Sequence, residues 1–202
     1  MATRAYTAAR KRRNAKSVDS VLDAAERLIK AGEFHTATMD ELAAEAGISR
    51  ATVFNRFGSK LGVLKALADR CYRSPEMEAL QEALEIEDPV DALDAMIEAS
   101  CAIWDAQGFV HEQLNAIVVL EPDAADLIEE QRDQQRDEIQ GVTRRLARAG
   151  RLRSGLSEPR AVAALHMLTS LESFLRLRRE YGLSLRQTRE TLTELARTLL
   201  RD

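Results

Sequence analysis

The segment Gly47 to Lys60, GISRATVFNRFGSK, holds three basic residues and an asparagine but no acid, in a chain whose formal net charge is −4. These side-chain types suit contact with a nucleic-acid duplex. Arg50 and Arg56 can form paired hydrogen bonds with guanine and Asn55 with adenine. Ala51 and Thr52 are small enough to let a helix approach a groove, and both can touch a thymine methyl. Lys60, and the backbone N–H groups of helices starting at Thr38 and Ser49, favour phosphate. Any one of these residues is also what an ordinary exposed helix carries. Their joint occurrence beside a basic tail points to DNA.

Other chemistry has little support. His35, His111 and His166 lie far apart and lack metal-ligand spacing, and no glycine-rich phosphate loop is recognisable. Cys71 and Cys101 form neither a metal motif nor a disulfide framework, and read as small apolar residues of a reducing cytoplasm. Acidic pairs such as Glu129 and Glu130 fit the solvated face of a helix. The expectation is a protein that is not an enzyme, with no cofactor and no metal.

The segment needs elements to hold it. Val18, Val21, Leu22, Ala25, Leu28 and Ile29 recur at helical spacing, with Ser17 before them and Gly32 after. Thr38 and Glu41 form a capping-box pattern ahead of Leu42 and Ala43. Gly47 stands where a helix end wants a left-handed residue, and Ser49 can cap the next helix almost at once. Gly58 ends that helix and Ser59 can cap a fourth. Two short helices joined by a glycine-bearing turn are a helix-turn-helix candidate, with Ile48, Val53 and Phe57 as its wedge.

Beyond residue 73 the pattern is helical as well. An acidic connecting region leads to a helix over residues 89–107, which Gly108 is expected to break before a shorter segment from Phe109 to Leu120. Pro122 is expected to start a long charged helix. One late stripe bears Leu165, Leu168, Leu171 and Leu175, the next Leu192, Leu195 and Leu199. Leu165, Leu168, Leu175, Leu192, Leu195 and Leu199 either close over the chain's own core or pair with a second copy as a four-helix bundle.

Hydrophobic residues make up 45% of the 202 and charged residues 31%, with aromatics at only 4%, which suits an all-α globular chain. About nine helices are expected. No apolar run reaches the roughly 18 residues of a membrane span, so no membrane partner and a cytoplasmic location are expected. Residues 1–60 hold 11 Lys/Arg against 7 Asp/Glu, a net of +4 that leaves −8 on the remainder. Arg4, Arg10, Lys11, Arg12, Arg13 and Lys16 precede any acid. The organisation expected is a basic flexible arm at 1–16, a DNA-binding domain at 17–73, and a larger helical effector-binding and dimerisation domain at 74–202.

The stretch TMDELAAEAGISRATVFNRFGSK resembles the DNA-binding region of the tetracycline-repressor (TetR) family. Thr38, Leu42, Ala43, Ala46, Gly47, Ile48, Ser49, Thr52, Val53, Phe57, Ser59 and Lys60 match the family pattern, and the likeness covers roughly residues 17–70. Phe54 stands where the family usually has tyrosine, and Arg56 where it usually has histidine or tyrosine. The resemblance implies a homodimer whose recognition helices enter successive major grooves of a palindromic double-stranded operator, about 34–36 Å apart. It also implies a repressor released when a small molecule binds the larger domain. Pocket candidates are Met96, Ser100, Trp104 and Leu114, with Val118, Met167, Leu171 and Phe174, each of them also a candidate for plain core packing. Their character suggests a largely apolar ligand, with Ser100 or Trp104 as polar handles. The alternative is a regulator of the same fold without a small-molecule effector, controlled by a protein partner or by abundance.

Removing residues 1–16 should flatten the dependence of DNA affinity on salt, because fewer counterions are then released. Binding isotherms at several salt concentrations measure the slope, and an unchanged slope would leave the arm without a role in binding.

Overall fold

The computed structural model describes residues 17–120 and 126–201, leaving aside the side chains at 117–120, 126–128, 130 and 131. The basic arm at 1–16 and Pro122 lie outside the described residues, as do the surroundings of Val118. Among the described residues all regular structure is helical, apart from one isolated antiparallel bridge between Leu152 and Leu200. No described helix is long and apolar enough to cross a membrane.

Internal contacts divide the described chain into two units. The first takes residues 17–72 and 109–120. It comprises α1 at residues 17–30, α2 (Met39–Glu45), α3 (Arg50–Phe57), α4 (Lys60–Cys71) and the later part of α6. The helical stripes converge as their spacing predicts. Val21, Leu22, Ala25 and Ile29 of α1 are buried, as are Leu42 and Ala43 of α2, Val53 of α3, and Val63, Leu64 and Leu67 of α4. Ion pairs tie the elements at the surface. Arg27 Nε meets Glu45 Oε1 at 2.7 Å, while Arg70 joins Asp23 at 2.6 Å and Glu26 at 2.7 Å, both on α1. Such exposed pairs add only a few tenths of a kcal/mol to about 1 kcal/mol each. The buried stripes carry most of the stability.

The second unit takes residues 73–108 and 126–201. It holds α5 (Pro75–Glu85), the first part of α6 (Pro89–Leu120), α7 (Asp126–Arg148), α8 (Glu158–Leu168) and α9 (Leu171–Leu175). A π-helical turn (Arg176–Glu180) and α10 (Leu185–Arg197) complete it. Its core is built from Leu80, Leu93, Met96, Ile97, Ile139, Val142, Leu146, Leu165, Phe174, Leu192 and Ala196. Arg145 of α7 donates to the carbonyls of Leu84 (2.7 Å), Ile86 and Glu87 (3.0 Å), capping the C-terminus of α5.

Three local expectations differ from the structure. The acidic region after residue 73 contains a helix, α5, started by Ser74 as N-cap and Pro75 at its first turn. Its acids, Glu76 and Glu78, lie in the first turn, where the helix dipole favours negative charge. Second, α6 passes through Gly108 without a break. A Cβ there would lie 3.0 Å from Leu171 Cδ1, so this glycine makes room for a neighbour and does not stop the helix. Third, the stripe from Leu165 to Leu175 is split. Thr169 closes α8, Ser170 caps α9, and the run through Leu175 continues into the π turn.

His111, on the later part of α6, has its titration set by its surroundings: burial pushes its imidazole down to about 4 from an ordinary 6.5. A base with a lowered native pKa binds fewer protons folded than unfolded, so its contribution is complete above pH ~6.5 and is lost as pH falls toward ~4. Urea unfolding between these limits should lose about 3 kcal/mol more in the natural chain than in His111→Gln. Equal losses in both would show that His111 is not the group responsible.

Candidate nucleic-acid interface

The helix-turn-helix is assembled from its ends. At the start of α2, Thr38 Oγ1 accepts from the Glu41 amide at 3.2 Å, and Glu41 Oε2 accepts from the Thr38 amide at 2.7 Å. The same Thr38 N–H, with the Thr38 hydroxyl, holds the Glu41 carboxyl below the usual carboxylate range. At its other end Gly47 has φ +67°, and the chain turns as a Schellman motif. Ile48 N–H reaches the carbonyl of Ala43 at 3.0 Å, and Gly47 N–H that of Ala44 at 3.1 Å. Two residues later Ser49 Oγ accepts from the Thr52 amide at 3.2 Å and opens α3.

The far end of α3 is fixed by close approach. Ser59 caps α4, and Gly62 in its first turn lies so near the end of α3 that a Cβ would sit 1.8 Å from the carbonyl oxygen of Phe57. Any side chain at 62 would force the two helices apart.

On the helix held in this way Val53 is fully buried and Phe57 is half-buried. Arg50, Ala51, Phe54, Asn55 and Arg56 are exposed, and Thr52 is partly so. Among the described residues Phe54 is 57% exposed, unusual for an aromatic side chain. Thr52 Oγ1 shares a 2.8 Å hydrogen bond with Ser49 Oγ. Arg50 Nη1 lies 3.3 Å from Asp40 Oδ2 of α2, a partner that sequence spacing did not single out. An acid ten residues earlier, at the first turn of the preceding helix, is the only signal for it.

Lys60 is placed differently from its phosphate expectation. Its Nζ donates to the His35 carbonyl at 2.9 Å and stands 5.1 Å above the Phe34 ring, tying α4 to the loop after α1. The capping box likewise engages the amide and hydroxyl of Thr38 within the chain.

The pocket candidates are divided between the two units. Met96, Ser100, Trp104, Leu171 and Phe174 belong to the second unit, where all but the partly covered Trp104 are buried. Leu114 is buried in the first unit. Met167 lies on the surface of α8, 63% exposed. Both polar handles act inside the protein: Ser100 Oγ donates to the Met96 carbonyl at 2.8 Å, and Trp104 Nε1 to the Thr169 carbonyl at 2.8 Å. Gln107 is also buried on α6, and as a lone glutamine it carries no spacing signal.

The leucines of the pairing stripe also divide. Leu165, Leu168 and Leu192 lie in the core of the second unit, with Leu175 and Leu199 packed against it. Leu195 remains 45% exposed on α10, which packs against α8.

Among the described residues no three His, Cys, Asp or Glu side chains converge as a metal site. Comparison with known proteins bears on the same helices. The model of bacterial regulatory proteins of the tetR family matches residues 21–67. The HTH-type transcriptional regulator AlkX of Mycobacterium tuberculosis is 42% identical over 52 residues, which make up 26% of this chain and 25% of that protein. The chain thus matches about a quarter of that relative's length. A transcriptional regulator structure from Saccharomonospora viridis in complex with choline superposes with a TM-score of 0.78 at 21% identity, covering 93% of this chain and 99% of that one. The TetR family regulator PfmR from Thermus thermophilus does so at 0.70 and 24%, covering 90% and 99%. At these identities the two structures speak to fold. The helix-turn-helix, residues 21–67, thus matches the tetR family of bacterial regulatory proteins, and the rest of the chain shares the fold of these two structures.

Proposed function

We propose that the protein is a sequence-specific, DNA-binding transcriptional repressor, acting as a cytoplasmic homodimer on a palindromic operator and released by a small molecule with a mainly apolar body. One observation carries the reading: α3 is anchored by buried Val53 and capped by Ser49, while Arg50, Ala51, Phe54, Asn55 and Arg56 all face outward. Arg50 and Asn55 supply base-edge hydrogen bonds, and Arg56 a base or phosphate contact. Phe54 has no hydroxyl to offer a phosphate and instead brings an apolar ring to thymine methyl groups. Ser49, Thr52 and Thr38 position the backbone near phosphate, and Lys60 holds α4 and the preceding loop behind them.

Release follows if the ligand prefers the state that does not bind DNA. The choline held by the Saccharomonospora viridis regulator supports a small-molecule site in this fold, and the buried side chains Met96, Leu171 and Phe174 supply its apolar walls. Pairing between copies uses the outward side of α8 and α10, where Met167 and Leu195 are exposed.

Selection of bound duplexes from a random pool tests the central claim: a two-fold symmetric consensus supports it, and recovery without sequence preference overturns it. With that operator, Arg50→Ala and Asn55→Ala should each cost about 1–3 kcal/mol and relax preference at one base position. Uniform weakening over all sequences would exclude a base-reading role. Leu195→Glu should yield folded monomers in sedimentation, whereas a persistent dimer would place the interface elsewhere. Leu192→Glu is unsuited to this test, since Leu192 lies in the core of its own unit.

A further inference from the structure

Gln107 is 7% exposed, and its amide is only half satisfied. The amide nitrogen donates to Ser74 Oγ at 2.6 Å and to Glu76 Oε2 at 3.3 Å. The amide oxygen has no hydrogen-bond partner. Turning the amide over gives no remedy: the oxygen would then face the Glu76 carboxylate, acceptor against acceptor, and the nitrogen would be stranded. Other buried polar groups of the unit bond within their own helices, as Thr143 does to Ile139 and Thr169 to Leu165. Thr188 Oγ1 on α10 is also unpartnered, but no carboxylate adjoins it in the hydrogen-bond network. A buried acceptor left unpaired is unfavourable unless something donates to it.

On the nitrogen side of the same amide the chemistry has a sign. Glu76 lies in the first turn of α5, where its own backbone N–H, the Ser74 hydroxyl and the Gln107 amide hold its carboxyl below the usual range. No basic side chain among the described residues forms an ion pair with it. Along α6, Trp104 is three residues back and the imidazole of His111, whose pKa burial lowers, is one turn on, while Leu171 closes against Gly108.

We propose that Gln107 is the polar anchor of the ligand site in the second unit, and that the ligand presents a protonated amine to Gln107 Oε1. Glu76 flanks the ammonium, and the apolar body lies along Trp104 and Leu171. This rests on the ligand-responsive reading above and gives that ligand a head group. A neutral alcohol satisfies the oxygen without using the charge of Glu76. A quaternary ammonium brings charge without an N–H, and a carboxylate opposes both groups.

The test uses the full chain with octylammonium, octyltrimethylammonium, octanol and octanoate at pH 7, followed by thermal shift and calorimetry. Octylammonium should bind at least about tenfold tighter than each of the others. Gln107→Leu should lower its affinity about tenfold, and Glu76→Gln, which keeps a hydrogen-bonding group at the helix start, should remove the preference over octanol. Far-UV circular dichroism checks that both variants fold; should Gln107→Leu not fold, Glu76→Gln carries the test. Equal binding of octyltrimethylammonium, octanol or octanoate overturns the proposal, as does wild-type binding by the folded variants or no response to any probe. Operator binding is followed in parallel. If octylammonium binds with this sensitivity but leaves operator occupancy unchanged, the release reading fails and the anchor stands.

Discussion

A helix of eight residues does not persist by itself in water, because nucleation is costly and too few hydrogen bonds follow to offset it. Helix α3 therefore exists only as far as its ends and one face are held by other parts of the chain. Ser49 satisfies an amide at its start, the Gly47 turn fixes the angle from which it departs, Val53 secures its underside, and α4 abuts its last carbonyls. The outward residues are free of packing duties because so few others perform them. A surface that reads a polymer needs this separation, since side chains that must also fill a core cannot be varied to suit a sequence.

The same separation explains which features could be seen without coordinates. Caps and turns are local: Thr38 with Glu41, Ser49 with Thr52, and Gly47 after Ala46 all declare themselves within four residues, and each forms as its spacing predicts. Helical stripes are nearly as local, so the all-α fold and the helix-turn-helix were legible. What escaped were pairings across many residues. Lys60 meets the His35 carbonyl 25 residues away, and Gln107 meets Ser74 33 residues away. Neither residue type demands such a partner. Gly108 is a case of the same kind, because a glycine that stops a helix and one that admits Leu171 look alike until the neighbour is known.

Polar groups in the second unit show how little a residue's type says about its availability. Tryptophan and serine invite a ligand role in any list of pocket residues, yet Trp104 and Ser100 both donate to backbone carbonyls of their own unit. Glutamine is an ordinary member of a helix, yet Gln107 keeps an acceptor without a donor. Accounting for each donor and acceptor separates the two cases, whereas hydrophobicity does not.

Glycines within helices are the usual first choice for engineered stabilisation, since alanine is favoured there by about 1 kcal/mol. Three fall inside helices of this chain, and they are not equivalent. A methyl group at Gly141 would meet nothing within 4 Å, and at Gly108 only the end of the Leu171 side chain at 3.0 Å. At Gly62 it would collide with backbone, the carbonyl of Phe57 at 1.8 Å. The chain keeps a poor helix former at that point so that two helices can touch. A thermostable variant drawn up from helix propensity alone would thus pry apart the one junction that sets how α3 is presented.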